Sequence, residues 1–405
     1  MKKLGLIFST LLLGIYSLVA QSMEQVVADR VIPLSNNEDF EFLLPLLQDK
    51  RIVIIGEANH LAGSTCEVRV NMIRYLSEHL GFNTVALEPL GFIDGMLLRD
   101  SMSDGKQPDI RKSLPAPDLF VHQKSEPLWE MIMNRKIDFM GFSDFPVENI
   151  FEILNKENIG ENIDFERLER LACFGKDTIP QADIDFAIQA ISTLENRLNF
   201  KKATDEKQYH KMDFLLQGLE NIKTEFLAHL AYVTEGIVPY VSLGDRQRAD
   251  NIIWYMNRFP ESKLIVWVAN YHALKNIWHL FGDIYFDDAA KYDVMGDLLA
   301  DYFGDQLYSI AVTSATGLKV TYDEDDNTIE EMVDFPLVEP NSLEYQLYQK
   351  NIDYGYIDLA PFCKDDTYYD SPFVTHIEMK VAYNGKWQYI FDGIYYIRKM
   401  YPRNP

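Results

Sequence analysis

The sequence predicts an α/β fold: a mixed, mostly parallel sheet flanked by helices, with a helical insertion. Short apolar runs alternate with polar stretches of helical period, the pattern of buried parallel strands joined by crossover helices. Residues 147–236 switch to helical periodicity throughout, and no repeat, low-complexity run or Pro/Gly/Ser linker divides the chain.

The chain begins with Lys2 and Lys3, the apolar stretch Leu4 to Val19 and Ala20 before Gln21, which read as a secretory signal over residues 1–20. Its removal leaves residues 21–405 as one exported domain, periplasmic or secreted. The stretch is shorter than the roughly 20 residues that span a bilayer, and Ser9, Thr10 and Ser17 interrupt it, so no stable membrane association is expected. Ile52 to Ile55, Thr84 to Leu87, Ile137 to Met140 and Leu264 to Val268 each resemble a buried strand. Between the first two, Ser64-Thr65-Cys66-Glu67 has capping-box spacing ahead of Val68, Met72, Ile73 and Leu76, and Gly81 is placed to end that helix. The unit is therefore read as a right-handed βαβ. In the insertion, Phe186, Ile188, Ile191, Leu194 and Leu198 form one stripe, and Met212, Leu215, Leu216, Leu219 and Ile222 another, as in a hairpin over the sheet or in ordinary packing helices. A helix at Arg248 to Met256, a helix at Val294 to Phe303, a strand at Leu307 to Val312 and a closing strand within Trp387 to Ile397 complete the reading.

Composition narrows the function. The formal net charge is −24, and loss of two of the 38 basic residues with the signal, against 62 acidic ones, makes it −26. Such a surface repels phosphate backbones and anionic lipid, so nucleic-acid partners are not expected. Cys66, Cys173 and Cys363 are too widely spaced for a zinc cluster, and an odd count leaves at least one unpaired within the chain. Asp323, Asp325 and Asn327 begin a calcium-loop spacing, but Thr328 stands where glycine is needed and a solvated acidic loop is the better reading. No G-x-S-x-G, Walker A, G-x-G-x-x-G or H-E-x-x-H occurs. The 23 Tyr and 24 Phe suit an apolar organic small-molecule ligand, or a core.

Open α/β sheets bind ligands beyond the carboxyl ends of their strands. The residues there are polar: Gly56, Glu57, Ala58, Asn59 and His60 after the first run, Glu88 after the second, Asp144 after the third, Asn270 and His272 after the fourth. Two carboxylates and two imidazoles on one rim suit addition of water to a carbonyl, because an imidazole titrating near pH 6.5 accepts a proton from water at neutral pH. Arg69 can reach back from the following helix to hold a carboxylate or offset an oxyanion. Each residue alone has a structural reading: His60 as a helix cap, Glu57 and Glu88 as acceptors for loop N–H groups, Arg69 as a solvated helical residue, His272 as a core histidine. Their joint placement favours chemistry.

These residues resemble a known family. Ile54-Ile55-Gly56-Glu57-Ala58-Asn59-His60 is similar to the G-E-A-T-H-G segment of erythromycin esterases, and Arg69 and Glu88 fall where that family keeps an arginine and a strand-ending acid. Phe139 to Phe142 resembles its Y-G-F-D strand, Asp245 to Trp254 its R-D-x-x-M-A-x-N-x-x-W helix, Val266 to His272 its V-V-W-x-H-N-A-H, and Met295-Gly296, Gly304-Asp305 and Leu307 to Ala311 its M-G and G-D-x-Y-x-x-I-G stretches. The resemblance implies a mixed α/β sheet with helical insertions and metal-independent hydrolysis of a cyclic ester. His60 would be the general base, completed by Glu57, Arg69, Glu88 and His272. Asn59, Leu61, Ser143, Gly244 and Tyr271 depart from the family pattern, and the bulk of Leu61 and Tyr271 is expected to reshape the pocket. Two other readings use the same residues: a metal-dependent hydrolase with Zn or Mn on the Glu/His set, and a binding protein that kept the pocket without the reaction.

Overall fold

A computed structural model describes residues 21–114, 120–143, 149–172, 179–204, 208–281, 292–323, 328–368, 370–378 and 381–403. The expected signal, Asp144, Cys173, Asp325 and Asn327 lie outside them. Among the described residues no helix is long and apolar enough to cross a membrane, and Cys66 and Cys363 are free thiols.

The strands in chain order are β1 (Ile32–Leu34), β2 (Ile52–Ile55), β3 (Thr84–Gly91), β4 (Asp138–Ser143), β5 (Leu264–Trp267), β6 (Leu280–Phe281), β7 (Leu307–Asp323), β8 (Thr328–Phe335), β9 (Tyr354–Asp358), β10 (Phe373–Glu378), β11 (Val381–Gly385) and β12 (Gly393–Met400). Nine form one sheet in the order β1-β9-β12-β7-β2-β5-β3-β4, with β8 hairpinned onto β7. From β12 to β4 every pairing is parallel, while β1, β8 and β9 run antiparallel. The mixed, mostly parallel sheet flanked by helices is the one the sequence predicts. β6, β11 and β10 make a second, antiparallel sheet.

Burial on both faces explains the unbroken apolar runs. Ile52, Ile54, Ala86, Met140, Leu264 and Val266 pack with Leu194, Leu198, Met212, Leu215, Leu219, Ile222 and Ile252, on helices Gln181–Thr204, Tyr209–Glu235 and Ile237–Arg258. Val53, Ile55, Val85, Leu87, Phe139, Ile265 and Trp267 face the other way, onto Val68, Met72, Ile73 and Leu76 of helix Gly63–Leu80. That helix ends at Gly81, whose φ of 69° is the left-handed conformation expected of a glycine cap. The helix expected from Arg248 begins earlier, at Ile237, after a break at Gly236.

Two expectations are corrected. Ser64 and Glu67 make no capping box: the helix starts at Gly63 with Ala62 as an uncapped N-cap. Glu67 is instead held from outside the helix by Lys124 at 2.8 Å, Asn37 at 3.0 Å and the Tyr401 hydroxyl. These tertiary donors outcompete a local bond that needs a different backbone entry. The segment from Trp387 is not strand throughout. Trp387 and Ile390 are buried one helical turn apart in helix Trp387–Ile390, and only after Asp392 does β12 begin. β1, β9, β10 and β11 add to the strands the sequence predicts.

Candidate active site

Register brings the expected residues to one edge. Ile55 lies opposite Trp267, Trp267 opposite Leu87, and Leu87 opposite Gly141, so β2 and β5 end level with Leu87 and Gly141 while β3 runs on through Glu88 to Gly91 and β4 to Ser143. The loops leaving these strands meet over the same rim. Gly56 leaves no room for a side chain, since a Cβ there would lie 2.0 Å from Asn270 Oδ1. Asn270 is the clamp behind it. Its backbone N–H donates to Glu57 O (2.8 Å), its Nδ2 to Val312 O (2.9 Å) and Ile377 O (2.7 Å), and its Oδ1 accepts from Val312 N (3.1 Å). One buried amide thus ties the β2 and β5 loops to β7 and β10.

Glu57 has only 2% of its side chain exposed. Its Oε1 lies 2.5 Å from His60 Nδ1, and its Oε2 lies 2.6 Å from Arg69 Nη1. Arg69 is fully buried, donates to Val268 O at 3.4 Å and stacks over the Trp267 ring at 3.7 Å. Burial alone would push the Glu57 carboxyl up, but the Arg69 and His60 charges and their hydrogen bonds outweigh it and bring it down to about 2. For His60, burial again opposes the charge. The Glu57 carboxylate and its hydrogen bond prevail, with Glu88 adding to them, and raise the imidazole to about 9. The carboxylates alongside thus raise its basicity, as two acids on the same rim imply, and favour the imidazolium at neutral pH. Its side chain is 41% exposed, so solvent reaches it, and the Phe120 ring lies edge-on at 5.9 Å.

Glu88 sits two strands from β2, on β3 beyond β5. Its Oε2 accepts from Ala269 N at 3.2 Å, and its Oε1 lies 3.6 Å from His272 Nε2. The other nitrogen of His272, Nδ1, is 2.6 Å from Oδ1 of fully buried Asp245. Glu57, His60, Arg69, Glu88 and His272 therefore occupy one site. Asp245 escapes the strand-end rule because it lies in the middle of helix Ile237–Arg258; its segment carries a family resemblance but no role. Trp267 reads in the sequence only as strand. Leu61 is buried, and Tyr271 packs against the core with its ring edge-on to His272 at 5.3 Å.

Glu57, His60 and Glu88 also offer ligand atoms within 4.8 Å of one another, close enough to hold a metal ion. Those donors are already engaged, however: both Glu57 oxygens and His60 Nδ1 lie in the Arg69–Glu57–His60 chain. A metal taking His60 Nδ1 would have to displace the Glu57 contact, and one held through Nε2 would still sit near the Arg69 charge.

The erythromycin esterase family model matches residues 166–387, more than half of the chain. The chain belongs to the erythromycin esterase family. Membership makes it a hydrolase of ester bonds, and the matched residues include the Asp245 to Trp254 and Val266 to His272 segments. Erythromycin esterase type II of Escherichia coli is 26% identical over 362 residues, covering 78% of this chain and 84% of that one. A Bacillus cereus protein of known structure superposes with a TM-score of 0.72 at 18% identity, covering 94% and 97% of the two chains. A mutant of the erythromycin esterase EreC in its open conformation gives a TM-score of 0.64 at 17% identity, covering 91% and 95%. These two structures share the fold.

Proposed function

We propose that this family member cleaves a carboxylic ester or lactone of an apolar small molecule with water activated by His60. The observation that carries the reading is the chain Arg69–Glu57–His60, which holds His60 by Nδ1 and leaves Nε2 free to face a water. Neutral His60 takes a proton from that water as its oxygen bonds to the carbonyl carbon. The imidazolium so formed offsets the oxyanion charge as it develops, with the buried Arg69 charge behind Glu57 adding a longer-range contribution. As the acyl C–O bond breaks, the alkoxide takes a proton from Nε2 of His272 in its imidazolium form. The proton gained by His60 then returns to His272 through Glu88 or solvent, so water's H and OH end on alcohol and acid.

The test is the pH profile. With His60 at about 9, about 1% of it is neutral at pH 7, and that fraction grows tenfold per pH unit. The kcat/KM of a hydrolysed aryl ester, whose leaving group needs no acid, is expected to rise with unit slope until about pH 9, since this parameter reports the free enzyme. Stability runs the other way: a raised imidazole stabilises fully below its unfolded value of 6.5, and that contribution fades as pH rises through about 9. A profile flat from pH 6 to 9 would end the reading.

The metal-dependent alternative rests on the 4.8 Å spacing of Glu57, His60 and Glu88. Stoichiometric Zn or Mn in protein purified without chelators, lost together with activity, would favour it. We also propose export. Lys2, Lys3 and the Leu4 to Val19 stretch support it, and an N-terminus at or near Gln21 in the mature protein is the expected result. Recovery of the intact N-terminus would contradict it.

A further inference from the structure

We propose that Asp245 is a positioning residue that sets the tautomer and aim of His272, making the site two opposed Arg–carboxylate–imidazole relays that share Glu88. This rests on the reading of His272 as the leaving-group acid. Asp245 is fully buried on helix Ile237–Arg258 and is held by three groups. Arg248 Nη1, one turn on, lies 2.9 Å from Oδ1; Met295 N donates to Oδ2 at 3.2 Å; His272 Nδ1 lies 2.6 Å from Oδ1. The first two fix the carboxylate to its own helix and to the start of helix Met295–Phe303, so it cannot follow the imidazole if the ring turns. Burial would raise the Asp245 carboxyl, but His272, Arg248 and the Met295 N–H together hold it below the usual range, so it is an acceptor throughout the working pH.

The Nδ1 contact is short but lies outside hydrogen-bond alignment, and as an ion pair with an obligate acceptor it favours a proton on Nδ1 in both charge states of the ring. The atom that gains and loses its proton is then Nε2, which faces Glu88 Oε1 at 3.6 Å. The other half of the site repeats the arrangement: Arg69 fixes Glu57, Glu57 faces His60 Nδ1, and His60 Nε2 is left for chemistry. Both imidazoles are thus backed by an anchored carboxylate at the same nitrogen. Glu88 lies between them, 3.6 Å from His272 and within 4.8 Å of a His60 ring nitrogen.

The test compares an alkyl and a p-nitrophenyl ester of one acid that the protein hydrolyses, because the alkoxide needs a proton to leave and the nitrophenolate does not. Wild type, Asp245→Asn, His272→Gln and the double variant are measured on both. Asp245→Asn is expected to lower kcat on the alkyl ester by roughly 100-fold, within the usual range for acid catalysis, with little change in KM and far less effect on the aryl ester. In the His272→Gln background it should add nothing further on the alkyl ester. Equal losses on both esters, or additive losses in the double variant, would overturn the proposal. If His272→Gln alone leaves alkyl-ester turnover intact, the acid reading beneath it is the part that fails. Should Asp245→Asn not fold, the imidazole nitrogen chemical shifts of His272 in the wild type decide the matter. A neutral ring protonated at Nδ1 is expected, and one protonated at Nε2 overturns it.

Discussion

Replacing His60 with Asn lowers kcat/KM for a hydrolysed ester by roughly 100- to 10,000-fold, the range lost when a positioned general base is removed. The variant keeps a hydrogen-bonding group near Glu57 Oε1 and Arg69 still pairs the buried carboxylate, so the protein should fold, with a thermal transition lowered by loss of the imidazolium partner. The loss should therefore fall on kcat rather than on folded yield. It should also remove the alkaline rise, because the group whose deprotonation produces that limb is gone. Glu57→Gln tests the same step from the other side. Without the carboxylate the imidazole loses the largest influence holding it near 9, and the limb should move to lower pH. Substitution of His60 without loss of turnover in a folded protein would rule out a base at this position and, with it, a metal held by Glu57, His60 and Glu88.

Legibility in the sequence tracks physical range. β2 and β5 are readable nearly to the residue because each is a short run buried on both faces, and Glu57, His60, Glu88 and His272 are readable because they come directly after such runs. Arg69 is only suggested: position in a helix does not say whether its guanidinium faces solvent or the core, and its complete burial depends on Trp267, which arrives 198 residues later in the chain. Asp245 and Asn270 depend on contacts between distant segments. The direction of the His60 shift follows from two acids on the same rim, but its size is out of reach, since it requires Glu57 to be pinned by Arg69 and kept from solvent. β1 and β9 leave little trace because a three-residue edge strand and the tyrosine-rich Tyr354–Asp358 lack the apolar run that marks the interior strands. The capping box at Ser64 and Glu67 shows the converse hazard, in which a correct local spacing is overruled by Lys124, Asn37 and Tyr401.

Replacing Arg69 with Met should destabilise the fold by about 3 kcal/mol, toward the low end of the cost of leaving a buried charge without its partner. Methionine fills much of the volume and can still lie against Trp267, so the loss is mainly electrostatic. Glu57 would remain 2% exposed with His60 as its one countercharge. That remaining partner keeps the loss from the upper end, and against a total stability of about 5–15 kcal/mol it is still a large fraction. The sign of the pH dependence separates this cause from lost packing. In the wild type the Glu57 contribution is present above its unfolded value of 4.5 and is lost as pH falls through about 2. In Arg69→Met the carboxyl protonates more readily, so the deficit relative to wild type should be largest near neutrality and shrink on acidification. A cavity would cost the same at every pH. Pairing the change with Glu57→Gln should recover part of the loss, since the orphaned charge is then gone, although activity stays low because His60 has lost its carboxylate. Urea unfolding of the two single variants and the double variant at pH 7 and pH 4 makes the comparison, and a pH-independent deficit would mean that Arg69 holds the site by shape rather than by charge.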